Sequence, residues 1–324
     1  MQANETFRLM DEAGRSGRPF LFGIDFEMNE GFFVPDPLTQ DDILFEVRGI
    51  GNAPAPAAKK AVPVTFSSAP ESLTVYTRRF ERIRQALMRG DSFLANLTIA
   101  TPIEMNIGPD EVFRRSHAPY KILLPGRFVC FSPERFVHIN KEGLISTNPM
   151  KGTIDATLPD AAEYLLSDYK ETAEHHTIVD LLRNDLSRVA RHVRVARFRY
   201  LDRLSTNRGD LLQMSSEITG TLPNDKRQDF GSILRELLPA GSISGAPKEA
   251  TLEAIREAEG QKRGFYTGVF GYFDGESFDS AVIIRYIELL PDGSYLFRSG
   301  GGITINSRCA DEYNETQQKV YLPF

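Results

Sequence analysis

The chain has 324 residues, 41% hydrophobic and 25% charged, enough for one large or two ordinary soluble domains. A net charge of −6 and a pI near 5.5 speak against nucleic acid or an anionic membrane as a partner. No run approaches the ~18 apolar residues of a membrane span, the N-terminal stretch lacks a secretory apolar core, and Cys130 and Cys309 lack metal-ligand spacing, so the expectation is a cytoplasmic protein.

In chain order, residues 1–17 predict a short helix leading into a strand at 19–26, and 43–47 reads as another strand. The stretch 53–63 (APAPAAKKAVP) predicts an exposed loop and a boundary between a short strand-rich segment, 1–70, and a larger domain, 71–324. Leu73, Tyr76, Phe80, Ile83 and Leu87 recur at spacings of three and four, which predicts a helix over 71–89 that Gly90-Asp91 stops. A strand follows at 93–102, a helix begins at Gly108-Pro109-Asp110, and two short strands over 126–139 flank Ser132-Pro133-Glu134. Another strand-like run, 143–146, leads into Asn148-Pro149-Met150-Lys151-Gly152-Thr153, which reads as a strand-end loop because Pro149 lacks a ladder N–H and Gly152 permits a turn. Helical periodicity covers 160–191. Strand pieces at 193–200 and 211–218, a helix at 230–238, a Gly/Ser-rich loop at 239–248 and a helix at 249–259 come next. Strands are expected at 264–273, 277–289 and 294–299, with Gly300-Gly301-Gly302 breaking the last, and a helix at 311–319 ends the series. Successive strands with hairpin-type turns indicate an α+β fold, with antiparallel sheets in a sandwich-like core and helices packed outside.

Two stretches share a charge geometry. Glu171 and Glu174, and again Glu312 and Glu315, stand three apart on helices, so each pair can address one point. Either pair alone reads as a solvated helix face. If the two helices face each other, four carboxylates converge and need a cation; hard oxygen donors suit Mg²⁺. His175 and His176 point about 100° apart on a helix, so one is expected to pack and the other to lie near the site without both ligating one metal. The loops at 239–248 and 300–302 read as tight turns or as backbone N–H cradles for anions. Lys151 taken alone reads as a solvated turn lysine. There is no Walker A sequence, GxGxxG, nucleophile elbow or zinc pattern.

Seven ordered segments resemble the chorismate-utilising enzymes, over about residues 71–324. They are Phe131-Ser132-Pro133-Glu134-Arg135-Phe136; Pro149-Met150-Lys151-Gly152-Thr153; Lys170-Glu171-x-x-Glu174-His175 with Val179 to Leu186; Pro239-Ala240-Gly241-Ser242 with Gly245-Ala246-Pro247-Lys248; Ala281-x-x-x-Arg285; Gly300-Gly301-Gly302-Ile303; and Glu312-Tyr313-x-x-Glu315-Thr316-x-x-Lys319. In this family, lysine rather than alanine before Gly-Thr marks the members that aminate chorismate at C4, toward p-aminobenzoate and folate. The N-terminal part also lacks the Leu-Leu-Glu-Ser pattern of a tryptophan feedback site.

The resemblance implies that Lys151 is a covalent nucleophile and Glu134 the acid that assists loss of the C4 hydroxyl. It implies Mg²⁺ held directly by Glu174 and Glu315, and by Glu171 and Glu312 through water. Arg285, Lys319, Tyr266 and the amides of Gly301 and Gly302 are implied substrate contacts, with Ser242 and Thr153 as polar contacts. An ordinary lysine is almost wholly protonated at pH 7, so Lys151 is expected to have a depressed pKa. Two positions depart from the family: Gln213 stands for a usual histidine, and Leu94 for the lysine of members that use water. Neither cysteine lies in a glutaminase context, so ammonia is expected from a separate glutamine amidotransferase subunit. The rival readings are synthesis of anthranilate and a non-catalytic relative that only binds chorismate.

Overall fold

The structure, a computed structural model, describes residues 1–53, 63–206 and 209–324. The Pro/Ala-rich stretch expected as a boundary lies outside the described residues apart from its ends. In chain order the elements are α1 (Ala3–Arg15), β1 (Phe20–Ile24), β2 (Gly31–Pro35), β3 (Leu44–Val47), β4 (Ile50–Gly51), β5 (Phe66–Ser68), α2 (Leu73–Arg89), β6 (Leu94–Met105), α3 (Pro109–Arg115), β7 (Tyr120–Leu124), β8 (Phe128–Ser132), β9 (Arg135–Ile139), β10 (Leu144–Thr147) and β11 (Met150–Asp155). There follow α4 (Ala161–Ser167), α5 (Tyr169–Ser187), β12 (Arg191–Thr206), β13 (Gly209–Thr221), α6 (Phe230–Leu237), β14 (Gly245–Ala246), α7 (Lys248–Glu259), β15 (Val269–Phe273), β16 (Phe278–Val282), β17 (Tyr286–Leu289), β18 (Tyr295–Ile303) and α8 (Cys309–Gln318).

The strands form two antiparallel sheets. One runs β11-β13-β10-β9-β16-β15-β1-β2, with β12 on the free edge of β13; the other runs β14-β6-β18-β17-β8-β7-β3-β4, with β5 on β6. The α+β expectation therefore holds. Period-two alternation stacks the layers. In β1, Leu21 faces the second sheet among Phe45, Ile122 and Phe128, whereas Phe20, Phe22 and Ile24 face out beneath α1, α5 and α6. In β8, Phe128 and Cys130 face in, while Val129 and Phe131 face out beside Phe113 of α3. Helices α2 and α7 cover the second sheet's outer face around Phe80, Leu97 and Ile255. Both sheets are thus buried on two faces, which is why their strands read as nearly continuous apolar runs. Among the described residues, no helix is long and apolar enough to cross a membrane.

Local signals explain several ends. Gly90 and Gly260 terminate α2 and α7 in the left-handed conformation, at φ of 83° and 64°. The helical stretch expected over 160–191 is two helices. Asp168 breaks it, and its carboxylate accepts the Glu171 N–H at 2.8 Å as the N-cap of α5.

Three expectations are corrected. Lys151 lies in a strand, because β13 pairs alongside β11, with an irregularity in register between Met150 and Thr153. The run 277–289 is two strands in different sheets, and Ile283 to Arg285 carry the chain across. The triple glycine does not break β18, which continues to Ile303 opposite Ala95. A Cβ on Gly300 would lie 2.8 Å from the Leu97 carbonyl oxygen, so close backbone approach accounts for that glycine.

Candidate active site

Strand β11 and helix α5 bring Lys151 against the first glutamate pair. Lys151 Nζ lies 2.6 Å from Glu174 Oε2, with 24% of the lysine side chain and 12% of the glutamate exposed. Burial pushes the Lys151 ammonium down, but Glu174, together with Glu315 and Glu171, outweighs it and the pKa ends above the ordinary lysine value. The expectation of a depressed pKa is therefore overturned in this arrangement: the desolvation is present, but three carboxylates surround the amine.

Carboxylates from both helices act on this one ammonium, so α5 and α8 converge as the paired spacing allowed. Glu171 lies over the next residue: a Cβ on Gly152 would come 3.0 Å from its Oε2. On α8, Glu312 is buried and accepts the Ser307 hydroxyl at 2.8 Å, while Glu315 Oε1 pairs with Lys319 Nζ at 2.8 Å. Gly301 opens toward them, since a Cβ there would lie 3.5 Å from Glu312 Oε2 and 3.9 Å from Glu315 Oε1. Gly302 pairs with Asn96 in the ladder, and a Cβ there would touch Leu94 at 3.1 Å. The donors fit Mg²⁺ in hardness and charge. They are not gathered into a closed sphere: among the described residues no three His, Cys, Asp or Glu side chains stand close enough to hold a metal as they are.

The second half of the site is Glu134, on the connection from β8 to β9. Its Oε1 accepts the Ser242 hydroxyl at 2.7 Å. Burial raises the Glu134 pKa, and Ser242, Arg285 and Lys319 offset this only in part. The carboxyl is thus biased toward the protonated form that an acid needs. Lys319 is pushed the other way: burial lowers its pKa despite Glu315, and the positive charges of Arg285 and Lys151 add to the lowering. Its Nζ also donates to the Gly300 carbonyl at 2.7 Å. Tyr266 is buried, and burial pushes its hydroxyl up to about 12. Arg285 stands immediately before β17, with φ of 53°.

Thr153 is placed by its backbone opposite Gln213 in β13. His175 is the packed histidine: its Nε2 lies 2.7 Å from Ser216 Oγ, and burial lowers its pKa to about 4. His176 is exposed and its ring lies tilted against Phe198, with 5.0 Å between ring centroids. Leu94 is buried in the apolar core.

Sequence reasoning left the supports of the Ser242 loop without a role. Lys248 Nζ pairs with Asp185 Oδ1 at 3.0 Å and donates to the Leu237 carbonyl at 2.6 Å. A Cβ on Gly241 would lie 2.7 Å from Asp185 Oδ2, so a larger residue there would push that carboxylate aside. From the other side, Arg263 donates to the Ile243 carbonyl at 2.9 Å and pairs with Glu259. Charged side chains at i and i+4 of a helical run were the available signal for the second pair; nothing local points from Lys248 to Asp185.

The profile of the chorismate binding enzyme family matches residues 37–323. The chain is 48% identical, over 311 residues, to an uncharacterized PabA-like protein of Haemophilus influenzae, covering 96% of this chain and 94% of that one. It is 32% identical over 286 residues to aminodeoxychorismate synthase component 1 of Bacillus subtilis, covering 83% of this chain and 59% of that protein. Among solved structures, anthranilate synthase component I from Streptococcus pneumoniae superimposes with a TM-score of 0.66 at 31% identity, over 80% of this chain and 59% of the other. With the family profile spanning most of its length, the chain belongs to the chorismate-binding enzymes.

Proposed function

We propose that this protein aminates chorismate at C4 to give 4-amino-4-deoxychorismate, on the route to p-aminobenzoate and folate. The observation that carries this reading is Lys151, whose Nζ lies 2.6 Å from Glu174 within the carboxylate cluster. A lysine in this place supplies a nucleophile that an alanine cannot. In its neutral form Lys151 attacks C2 of chorismate, both double bonds of the conjugated ring diene shift by one position toward C4, and the C4–O bond breaks. Glu134 gives its proton to the departing hydroxyl, which leaves as water. Ammonia then forms the new C4–N bond as the C2–N bond to Lys151 breaks, so the lysine is regenerated.

The remaining residues bind and orient. Arg285 and Lys319 meet the substrate carboxylates, aided by the amides of Gly301 and Gly302; Tyr266 walls the pocket, and Ser242 and Thr153 add polar contacts. Glu174 and Glu315 directly, and Glu171 and Glu312 through water, would hold Mg²⁺, which would supply positive charge to offset these carboxylates and that of the substrate. Ammonia comes from a separate glutamine amidotransferase subunit; the Bacillus subtilis relative, named as a component 1, supports a two-part enzyme. In this reading the protein works in the cytoplasm.

Incubation with chorismate, Mg²⁺ and an ammonium salt tests the proposal. Aminodeoxychorismate should accumulate without a fluorescent product, and Lys151→Ala should abolish a covalent adduct seen by mass spectrometry. Near-normal aminodeoxychorismate formation by Lys151→Ala would remove the lysine from the mechanism. The second reading, anthranilate synthesis, is favoured by the likeness to the Streptococcus pneumoniae enzyme. Direct appearance of fluorescent anthranilate would establish it instead.

A further inference from the structure

Arg285 is held from one side by a residue beyond the seven segments named above. Its Nε donates to the Tyr321 hydroxyl at 3.1 Å, and its guanidinium carbon lies 5.4 Å from the centroid of the same ring. Its backbone is pinned as well: the Phe131 N–H donates to its carbonyl at 3.0 Å, and φ is 53°. Among the described residues no side chain or carbonyl accepts a hydrogen bond from either Nη group of Arg285.

The segment 320–324 explains why Tyr321 points there. Val320, Leu322 and Phe324 pack against the cluster around Phe131 and Phe297, and Arg115 lies 5.6 Å from the Phe324 ring centroid. With its neighbours on both sides anchored in that cluster, Tyr321 is left to reach Arg285. A phenol is a neutral partner. It fixes the guanidinium without cancelling its charge, whereas a carboxylate there would compete with an anionic ligand for the same cation.

We propose that Tyr321 is a positioning residue that aims the Nη edge of Arg285 at a carboxylate of the substrate and so sets affinity for the carboxylated ligand. This rests on the reading of Arg285 as a chorismate contact. The test is calorimetric titration of chorismate, with Mg²⁺ present, into the wild type, Tyr321→Phe and Tyr321→Leu, together with steady-state kinetics. Loss of one hydrogen bond to a charged group should raise Kd and KM about 10- to 150-fold in Tyr321→Phe, with kcat within about twofold. In an Arg285→Ala background, Tyr321→Phe should add nothing. A merely structural role would lower the urea midpoint and leave the KM-against-kcat split unchanged. Wild-type affinity in Tyr321→Phe, or an undiminished effect without Arg285, overturns the inference alone. Failure of the wild type to bind chorismate overturns the proposed function with it.

Discussion

Replacing Glu259 by glutamine probes how the loop carrying Ser242 is held. Glu259, at the end of α7, and Arg263 are each 1% exposed. Arg263 Nη2 lies 2.7 Å from Glu259 Oε1 and its Nε 3.0 Å from Oε2; Oε1 also accepts the Thr98 N–H at 2.8 Å and the Thr98 hydroxyl at 2.9 Å. Arg263 in turn donates to the carbonyls of Asn96, at 2.6 Å, and Ile243, at 2.9 Å, and stacks 4.4 Å from the Phe26 ring centroid. One charge pair therefore ties α7 to β6 and to the turn next to Ser242. In Glu259→Gln one oxygen becomes an amide NH₂ that must face either Arg263 Nε alone or Arg263 Nη2 together with the Thr98 donors, and the guanidinium stays buried without a counter-charge. Breaking one side of a buried pair costs about 3–5 kcal/mol. At a urea slope of about 3 kcal/mol/M this lowers the midpoint by roughly 1–1.7 M. The double variant Glu259→Leu with Arg263→Met should recover much of the loss, because it leaves no uncompensated charge. Equilibrium urea unfolding followed by far-UV circular dichroism measures both. A midpoint shift below about 0.3 M for Glu259→Gln, under ~1 kcal/mol at that slope, would refute the argument that the charge is buried and unrelieved.

Two further outcomes follow from the site. If Glu134 is the acid of the proposed reaction, kcat should fall as pH rises through its raised pKa; Ser242→Ala removes a bond that favours the carboxylate and should move that fall to higher pH. A shift to lower pH, read from kcat profiles, would contradict the assignment. The glycines of β18 should separate folding from binding. Gly300→Ala forces a Cβ to 2.8 Å from a backbone oxygen and should cost about 1–3 kcal/mol of stability. Gly301→Ala meets only side-chain atoms at 3.5 Å or more, so it should fold normally yet weaken chorismate binding by calorimetry; unchanged binding would show that Gly301 does not face the ligand.

Local chemistry made much of this protein legible. The apolar stripe and glycine stop of α2, the paired glutamates of α5 and α8, and the antiparallel hairpin turns depend on residues a few positions apart, and the structure matches them. Asp168 was readable in the same way, as an N-cap three residues before Glu171, but the longer periodic stripe across it hid the break. Other features had no local signature. The run 277–289 is continuous in hydrophobic pattern because both of its strands are buried on two faces, and only the passage between sheets divides it. Pro149 and Gly152 read as a loop because the pairing of β11 with β13 joins residues some 60 positions apart.

Lys151 shows where the division falls. Its place before Gly-Thr and its kinship with chorismate-binding enzymes are properties of the sequence alone. Its charge is a property of the tertiary structure. Burial favours the neutral amine, whereas Glu174, Glu315 and Glu171, carried by helices about 140 residues apart in the chain, favour the ammonium and prevail. Electrostatic energy depends on distances in space, and no spacing along the chain encodes those.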